Sequence, residues 1–116
     1  MHEFSLVQAL LDRVETEARS HRASAVHRVT VRIGALAGVE RELFSKAFDL
    51  ARPGTVCDRA ELVVSGDDVR WSCEACGASV APGRALVCPE CGWPARLASG
   101  DALVLERIEL EVPDRV

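Results

Sequence analysis

The sequence predicts an α+β fold, with two helices packed on one face of a small sheet of about three strands and a cysteine-rich lobe inserted before the last strand. Three observations support this fold. Two segments repeat apolar residues at three- and four-residue spacing, which is typical of amphipathic helices, and three shorter segments have strand-like patterns. Four of the five cysteines fall between the last two predicted strands. This mixed order of elements favours an α+β architecture.

Length and composition restrict the class of protein. A chain of 116 residues, 48% hydrophobic and 28% charged, forms one globular core with at most a small second lobe. Its formal net charge of -4 argues against binding nucleic acid through a basic surface. The start of the sequence has no basic stretch before an apolar run, and no stretch approaches the roughly 18 apolar residues of a membrane helix. We therefore expect a cytoplasmic protein with no membrane contact.

The first predicted helix runs from about residue 4 to about residue 20. One face of it carries the apolar residues Val7, Leu10, Leu11, Val14 and Ala18. Ser5 and Gln8 stand at the spacing of a capping box, which places the helix start after the first four residues. Met1, His2 and Glu3 are therefore predicted to project free of the helix.

The other elements follow in order along the chain. Val29, Val31 and Ile33 alternate with polar residues and predict a strand that ends at Gly34. Helical spacing returns from about Glu40, and the Pro53-Gly54 pair ends that second helix. Two further strands are predicted from the apolar residues Leu62, Val63 and Val64, and from Ile108, Leu110 and Val112.

Two CxxC pairs, formed by Cys73 and Cys76 and by Cys88 and Cys91, lie between those two strands. Each pair presents two thiolates from one tight turn. Four sulfurs at about 2.3 Å from one ion form the closed tetrahedral site typical of structural zinc. Rubredoxin-like iron and a redox dithiol are the alternatives. With sulfur in all four positions, the site leaves no open position for catalysis.

The cysteine pattern predicts two domains. Residues 70–98 form a zinc-ribbon domain, which depends mostly on metal ligation because so short a segment buries little apolar surface. Residues 1–69 and 99–116 form the α/β domain. The loop between the CxxC pairs has one arginine and no lysine, so it favours a protein contact surface over a nucleic-acid one.

The N-terminus is a second candidate metal site. His2 is expected to block removal of the initiator methionine, so the α-amine of Met1 should stay free. That amine, the amide nitrogen and imidazole of His2, and the amide nitrogen of Glu3 can form a square of nitrogen ligands. Such a square suits nickel(II) or copper(II) and not zinc. On these residues alone, the simpler interpretation is that His2 is an exposed terminal residue and Glu3 an acidic group near a helix N-terminus.

A combination of motifs resembles one known family. The start MHEFSL, the stretch VRIGALAGVE at residues 31–40, the Gly54-Thr55 pair and the four CxxC cysteines occur in the order of the HypA/HybF family of hydrogenase maturation proteins. The resemblance covers nearly the whole chain. It implies a nickel metallochaperone that helps to insert nickel(II) into the large subunit of nickel-iron hydrogenase with a GTPase partner. In some organisms the family also supplies urease maturation. The expected state is a monomer or weak homodimer.

The resemblance also implies roles for individual residues. It makes His2 the principal nickel ligand, with the Met1 amine and the backbone nitrogens of His2 and Glu3 around it. It makes the CxxC cysteines, Cys73, Cys76, Cys88 and Cys91, the ligands of a structural zinc ion. Glu40 occupies the position of an acidic residue close to the family's nickel site and is a candidate partner of His2. Arg41 departs from the family, in which proline often follows that acidic residue.

No residues support an enzymatic function. The sequence has no Ser/His/Asp or Cys/His arrangement, no phosphate-binding glycine loop and no carboxylate pair that periodicity would bring together. Cys57 is expected to be a half-buried, inert thiol. His21 is expected at a solvated helix end, and His27 at the end of a strand. The alternative function is a zinc-ribbon protein-interaction module without a nickel role.

Overall fold

The computed structural model describes residues 2–81 and 86–113. Within them the chain forms helices α1 (His2–Ser20) and α2 (Arg41–Ala51) and strands β1 (Ala25–Gly34), β2 (Glu61–Asp67), β3 (Arg70–Cys73), β4 (Ser79–Val80), β5 (Ala95–Ser99) and β6 (Leu103–Glu111). This order confirms the α+β class. Among the described residues, neither helix combines the length and apolarity that crossing a membrane requires.

The chain divides into two compact units. Unit 1 comprises Met1–Arg32, Val39–Ser65 and Val104–Val116, and unit 2 comprises Ile33–Gly38 and Gly66–Leu103. Strands β3, β4 and β5 lie in unit 2. We call the segment from the start of β3 to the end of β5, Arg70–Ser99, the four-cysteine lobe.

The core of unit 1 is formed by apolar side chains of α1, α2 and β1. The buried residues of these three elements in unit 1 are Val7, Leu10, Leu11, Val14, Ala18, Val26, Val29, Val31, Phe44, Ala47 and Phe48, and Cys57 and Ala60 of the same unit are buried as well. The two helices pack against each other. The five α1 residues are those that the spacing predicts, since one face of a helix repeats every three to four residues. Burying a side chain of this size contributes about 1.5–3 kcal/mol.

Helix α1 begins at His2, so the prediction that His2 and Glu3 project free of the helix is wrong. The Glu3 carboxylate accepts a hydrogen bond from the backbone N–H of Glu40, with Oε2 and N 3.3 Å apart. This contact links the first turn of α1 to the residue that precedes α2. Because it joins residues distant in sequence, the local spacing of Ser5 and Gln8 gives no sign of it. Met1 lies outside the described residues.

Helix α1 ends in a Schellman motif whose left-handed residue is Arg22, with φ of 54°. The N–H of Ala23 donates to the carbonyl of Ala18 at 2.9 Å, and the N–H of Arg22 donates to the carbonyl of Arg19 at 3.0 Å. These bonds satisfy carbonyl groups that the helix leaves unpaired. A side chain at the left-handed position is strained, because its Cβ crowds the backbone.

One sheet has three strands in the order β2-β1-β6. The number of strands is the one that the sequence predicts. Ion pairs cross this sheet on one face. Arg28 of β1 binds Glu61 of β2 at 2.7 Å and Glu109 of β6 at 3.0 Å, and Arg32 binds Glu106 at 3.1 Å. The β1 and β6 partners run in opposite directions, as in antiparallel strands. Such exposed pairs contribute about 0–1 kcal/mol each.

The observed strands differ in extent from the predicted ones. Strand β1 begins at Ala25, well before the predicted Val29. The consecutive exposed residues His27 and Arg28 interrupt the alternation, so periodicity alone misses its first half. Strand β6 ends at Glu111, and Val112 lies beyond it with 51% of its surface exposed.

The four-cysteine lobe contains a second sheet that the sequence does not predict, with strand order β4-β3-β5. Both pairings are antiparallel, and Trp71 of β3 lies opposite Val80 of β4 and Leu97 of β5. These strands have two to five residues, too few for alternation to be recognised. The buried cluster of the lobe consists of Cys73, Val80 and Cys88, with Trp71, Ala78 and Ala95 packed against it.

Candidate metal centre

The first CxxC pair lies on a tight loop that we call knuckle 1, Cys73–Ala78. The N–H of Cys73 donates to the carbonyl of Ala78 at 2.8 Å, and the N–H of Gly77 donates to the carbonyl of Cys73 at 3.0 Å. Gly77 has φ of 75°, which a residue with a side chain rarely adopts. The glycine after the second cysteine is therefore required by the backbone of the loop.

The second CxxC pair lies on knuckle 2, Cys88–Trp93, which repeats the same geometry. The N–H of Cys88 donates to the carbonyl of Trp93 at 2.8 Å, and the N–H of Gly92 donates to the carbonyl of Cys88 at 2.9 Å. Gly92 also has φ of 75°. The two knuckles thus have identical hydrogen-bond offsets, and each presents two thiols from one turn.

The four sulfur atoms come together between the knuckles. All four Sγ atoms lie within 4.8 Å of one another, and none of the cysteines forms a disulfide. The Sγ of Cys76 is 3.8 Å from that of Cys88 and 3.9 Å from that of Cys91, and the Sγ atoms of Cys73 and Cys91 are closer, 3.2 Å apart. A tetrahedron with metal–sulfur bonds of about 2.3 Å has edges of about 3.8 Å. Two of these separations match such an edge, so the donor set suits one tetrahedral ion once Cys73 and Cys91 move slightly apart.

The two knuckles also share their pattern of exposure. The first cysteine of each, Cys73 and Cys88, is buried, whereas the second, Cys76 and Cys91, is exposed. The buried thiols form part of the apolar cluster of the lobe, and the exposed thiols form the surface of the site. An ion would therefore be reached from the side of Cys76 and Cys91.

Backbone N–H groups favour the thiolate form of Cys73. The N–H groups of Cys76 and Ala75 lie 3.5 and 3.3 Å from its Sγ. The bond from Cys76 first, and bonds from the Cys91 thiol and Ala75 as well, lower the pKa of Cys73 to about 6 against the effect of burial.

The exposed thiols, Cys76 and Cys91, hold their protons more strongly, because their pKa values are raised. The N–H of Trp93 favours the thiolate of Cys91, but the Cys73 sulfur, burial and the other thiols outweigh it and raise the pKa of Cys91 to about 12. Negative charge on one sulfur disfavours charge on the next. The cluster therefore needs a cation before all four cysteines can act as thiolates.

The N-terminal candidates lie in unit 1. The His2 side chain is exposed at the start of α1, and Glu3 is half-buried. The pKa of the Glu3 carboxyl is below its ordinary value, because its own backbone N–H and that of Glu40 donate to it. Glu40 thus contacts Glu3 through its backbone, whereas the sequence suggested its side chain as a partner of His2.

The other candidate residues have structural partners. His21 Nδ1 lies 2.9 Å from the carbonyl oxygen of Glu17, and His27 Nε2 lies 2.9 Å from Glu111 Oε1. Cys57 is fully buried, beyond the half-burial expected, and burial raises the pKa of its thiol to about 11. It is a protonated core residue.

A small α+β chain whose second unit closes four thiols around one position is a metal-binding protein with a zinc-ribbon lobe. Comparison with known families identifies it further. The family model described as hydrogenase/urease nickel incorporation, metallochaperone, hypA matches residues 1–110. The chain belongs to the HypA family. This is a family of metallochaperones and not of enzymes.

Relatives and solved structures agree with this assignment. The chain is 40% identical over 114 residues to the hydrogenase maturation factor HypA of Aquifex aeolicus, covering 97% of this chain and 99% of that protein. It is 41% identical over 112 residues to the factor of the same name from Nitrosospira multiformis, covering 95% and 97%. The solution structure of the Ni metallochaperone HypA from Helicobacter pylori superposes with a TM-score of 0.74 at 27% identity, covering 96% of this chain and 98% of that one.

Proposed function

We propose that this chain binds nickel(II) at its N-terminus and delivers it for the maturation of nickel-iron hydrogenase. The ligands are the amine of Met1, the amide nitrogen and imidazole of His2, and the amide nitrogen of Glu3. The carrying observation is that α1 begins at His2. The first four N–H groups of a helix have no carbonyl partner within it. The amides of His2 and Glu3 can therefore lose their protons to a metal without breaking a helical hydrogen bond, and the N–H of Glu3 gives up only its bond to the Glu3 carboxylate.

Binding and release follow from the same ligands. Four nitrogens in a plane suit nickel(II), and two of them are amides that give up their protons only when the metal is bound. Acidification, or a partner that moves the exposed His2, returns protons to these amides and weakens the site. The Glu3 carboxylate stays bound to the N–H of Glu40, which keeps the terminus in position while its amide nitrogen exchanges.

We further propose that Cys73, Cys76, Cys88 and Cys91 hold a structural zinc ion. The support is the tetrahedral spacing of the sulfurs and the low pKa of Cys73. The zinc lobe, with predicted bounds 70–98, then serves as a folded contact surface, and the nickel domain consists of residues 1–69 and 99–116. Family membership suggests the hydrogenase large subunit and a nickel-insertion GTPase as partners, urease maturation proteins as further ones, and a cytoplasmic location.

Nickel titration by calorimetry on untagged, zinc-loaded protein tests the N-terminal site. The wild type should bind one nickel, whereas His2→Ala and a variant with one extra residue before Met1 should lose that binding. His21→Ala is the matched control, because His21 is an equally exposed histidine at the other end of α1. If all four proteins bind alike, the N-terminal chelate is wrong and the chain is a zinc-stabilised interaction module.

A further inference from the structure

The end of β1 and the turn that follows belong to unit 2 and not to the unit that holds the rest of that strand. We call Gly34–Leu36 the strap. It lies between the two chain segments that enter and leave the four-cysteine lobe, Gly66–Val69 and Gly100–Ala102, which we call the stem. The strap therefore contacts the stem, which forms the base of the lobe, although the strap is far from the lobe in sequence.

Three consecutive N–H groups of the strap donate to both sides of the stem. Gly34 donates to the carbonyl of Ala102 at 2.9 Å, and Leu36 donates to that of Gly100 at 2.7 Å. Between them, Ala35 donates to the carbonyl of Asp67 at 3.1 Å. The strap thus joins the two sides of the stem by backbone hydrogen bonds.

Two glycines permit this close approach. A Cβ on Gly34 would lie 2.3 Å from both the carbonyl carbon and oxygen of Gly100 and 2.8 Å from the nitrogen of Asp101. A Cβ on Gly100 would lie 2.7 Å from Cα of Val69, and Gly100 has φ of 99°. All these neighbours are backbone atoms, which cannot rotate away as a side chain can. A side chain at Gly34 would force the strap away from the stem, and one at Gly100 would force the two sides of the stem apart.

The stem is continuous with the strands that carry the cysteines. Strand β3 pairs with β5 from Arg70 opposite Ser99 to Cys73 opposite Ala95, and Ser99 Oγ donates to the carbonyl of Asp68 at 3.2 Å. The apolar cluster of the lobe is small, so its strands depend on ligation of the four thiols. Loss of the ion would loosen this ladder and move the carbonyl groups that accept from the strap.

We propose that the strap locks the base of the four-cysteine lobe, with Gly34 and Gly100 as its positioning residues, and that the lock opens when the lobe loses its metal. This inference rests on the proposed metal centre of the lobe. Metal occupancy at the cysteines then determines whether residues 33–38, which lead directly into α2, are ordered. A partner that contacts this segment can distinguish the loaded protein from the empty one.

Hydrogen exchange of the full chain tests the lock, with zinc bound and after removal by EDTA. Exchange of the peptide covering residues 33–38 should rise at least about tenfold on zinc removal, the signature of local opening. A peptide within residues 7–18 of α1 is the internal reference and should not change. If the strap peptide exchanges equally in both states while zinc is shown to bind, the lock is wrong.

Substitutions test the role of the glycines. Gly100→Ala should raise strap exchange in the zinc-loaded protein to about the level of the zinc-free wild type. Gly54→Ala is the matched control, because Gly54 also has positive φ, 78°, but has no atom within 4 Å of the added Cβ. Equal effects of the two substitutions on the strap would show that a general loss of stability, and not the close approach of Gly100 to Val69, is responsible.

If Gly100→Ala no longer binds zinc, a second variant tests the lock. Ala35→Pro removes one donor of the strap and keeps the turn closed by the N–H of Ala37 on the carbonyl of Gly34, since proline is favoured at this turn position. It should bind zinc normally and exchange faster at Gly34 and Leu36. Unchanged exchange there overturns the lock. A wild-type lobe that takes up neither zinc nor cobalt(II) refutes the proposed metal centre as well, which separates the two failures.

Discussion

The two units of the chain are stabilised by different means. Unit 1 buries large side chains from two helices and a strand, and Phe44 and Phe48 have no exposed surface. The four-cysteine lobe buries Cys73, Val80 and Cys88, which are small, and two of these are metal-ligand candidates. Apolar burial contributes about 0.8 kcal/mol per methylene, so a cluster of this size cannot offset the ordering of the lobe. On this comparison, unit 1 depends on its core, and the lobe depends on the metal ion proposed for its four cysteines.

The largest expected effect is unfolding of the four-cysteine lobe while unit 1 stays folded. Cys73→Ala removes one of four ligands and the thiol whose pKa is lowest, and so removes most of a ligation energy on the order of 10 kcal/mol. Heteronuclear NMR should show lost dispersion for residues 70–99 and retained signals for α1 and α2. Cys57→Ala is the control, since it removes a buried thiol from unit 1 and should leave zinc content unchanged. Retained dispersion in the Cys73→Ala lobe would contradict metal-dependent folding.

The next largest effect is a loss of stability in unit 1 while the lobe keeps its metal site. Phe48→Ala should lower the free energy of unfolding by about 3–5 kcal/mol, because it leaves a cavity in the core. It also removes the ring that lies 5.9 Å from the Arg52 guanidinium carbon. Urea unfolding followed by circular dichroism measures the loss. The cobalt(II)–thiolate absorption of the lobe should persist at low urea, and a loss of that band would mean that the units do not differ in this way.

Leu50→Ala is the matched control for the core substitution. Leu50 lies on the same helix but is 77% exposed. Its substitution should change the free energy of unfolding by less than about 0.5 kcal/mol. A loss as large as that of Phe48→Ala would show that α2 is covered by something other than unit 1.

A smaller effect distinguishes the fifth cysteine from the other four by pH. Burial raises the pKa of Cys57 from 9.0 to about 11, so the unfolded chain releases this proton first as pH rises. The contribution of the protonated thiol to stability is complete below pH 9 and is lost between about pH 9 and pH 11. Cys57→Val should flatten the decline of urea stability over this window. An identical decline in the variant would assign the alkaline instability to other groups.

The smallest effect concerns the end of α1. Arg22→Gly should stabilise unit 1 by about 0.5–1 kcal/mol, because glycine adopts the left-handed conformation without strain. Arg19→Gly is the same substitution at a helical position and should destabilise by a similar amount. Thermal unfolding compares the two variants, and a destabilised Arg22→Gly would show that its side chain matters more than its backbone.

Local patterns predicted the elements of unit 1 and failed where contacts are distant. The apolar face of α1 and the central strand β1 follow from spacing, because burial of one face imposes a period. The start of α1 at His2 is accompanied by the bond from Glu40 to Glu3, which joins two segments that no local rule connects. The resemblance identified the family, but it did not indicate that His2 and Glu3 belong to helix α1.

The same distinction applies to the metal centre. Two CxxC pairs predicted which sulfurs meet, because the spacing within each pair fixes the turn. The short strands around them, and the contact of Gly34 with Gly100, carry no periodic signal in the sequence. A glycine required by a close approach cannot be distinguished in sequence from one required by a turn, such as Gly77.

The repeated knuckle geometry determines the order in which the two knuckles bind and release a metal ion. Each knuckle closes within six consecutive residues, whereas bringing the two together requires the whole lobe. Loops of about ten residues close in about 10–100 ns, much faster than a dilute metal ion arrives. An incoming ion therefore meets a dithiol that is already formed on one knuckle, and the other knuckle joins afterwards. Exchange of the ion with a competing chelator should follow the reverse order, through a half-open state in which one knuckle alone holds it.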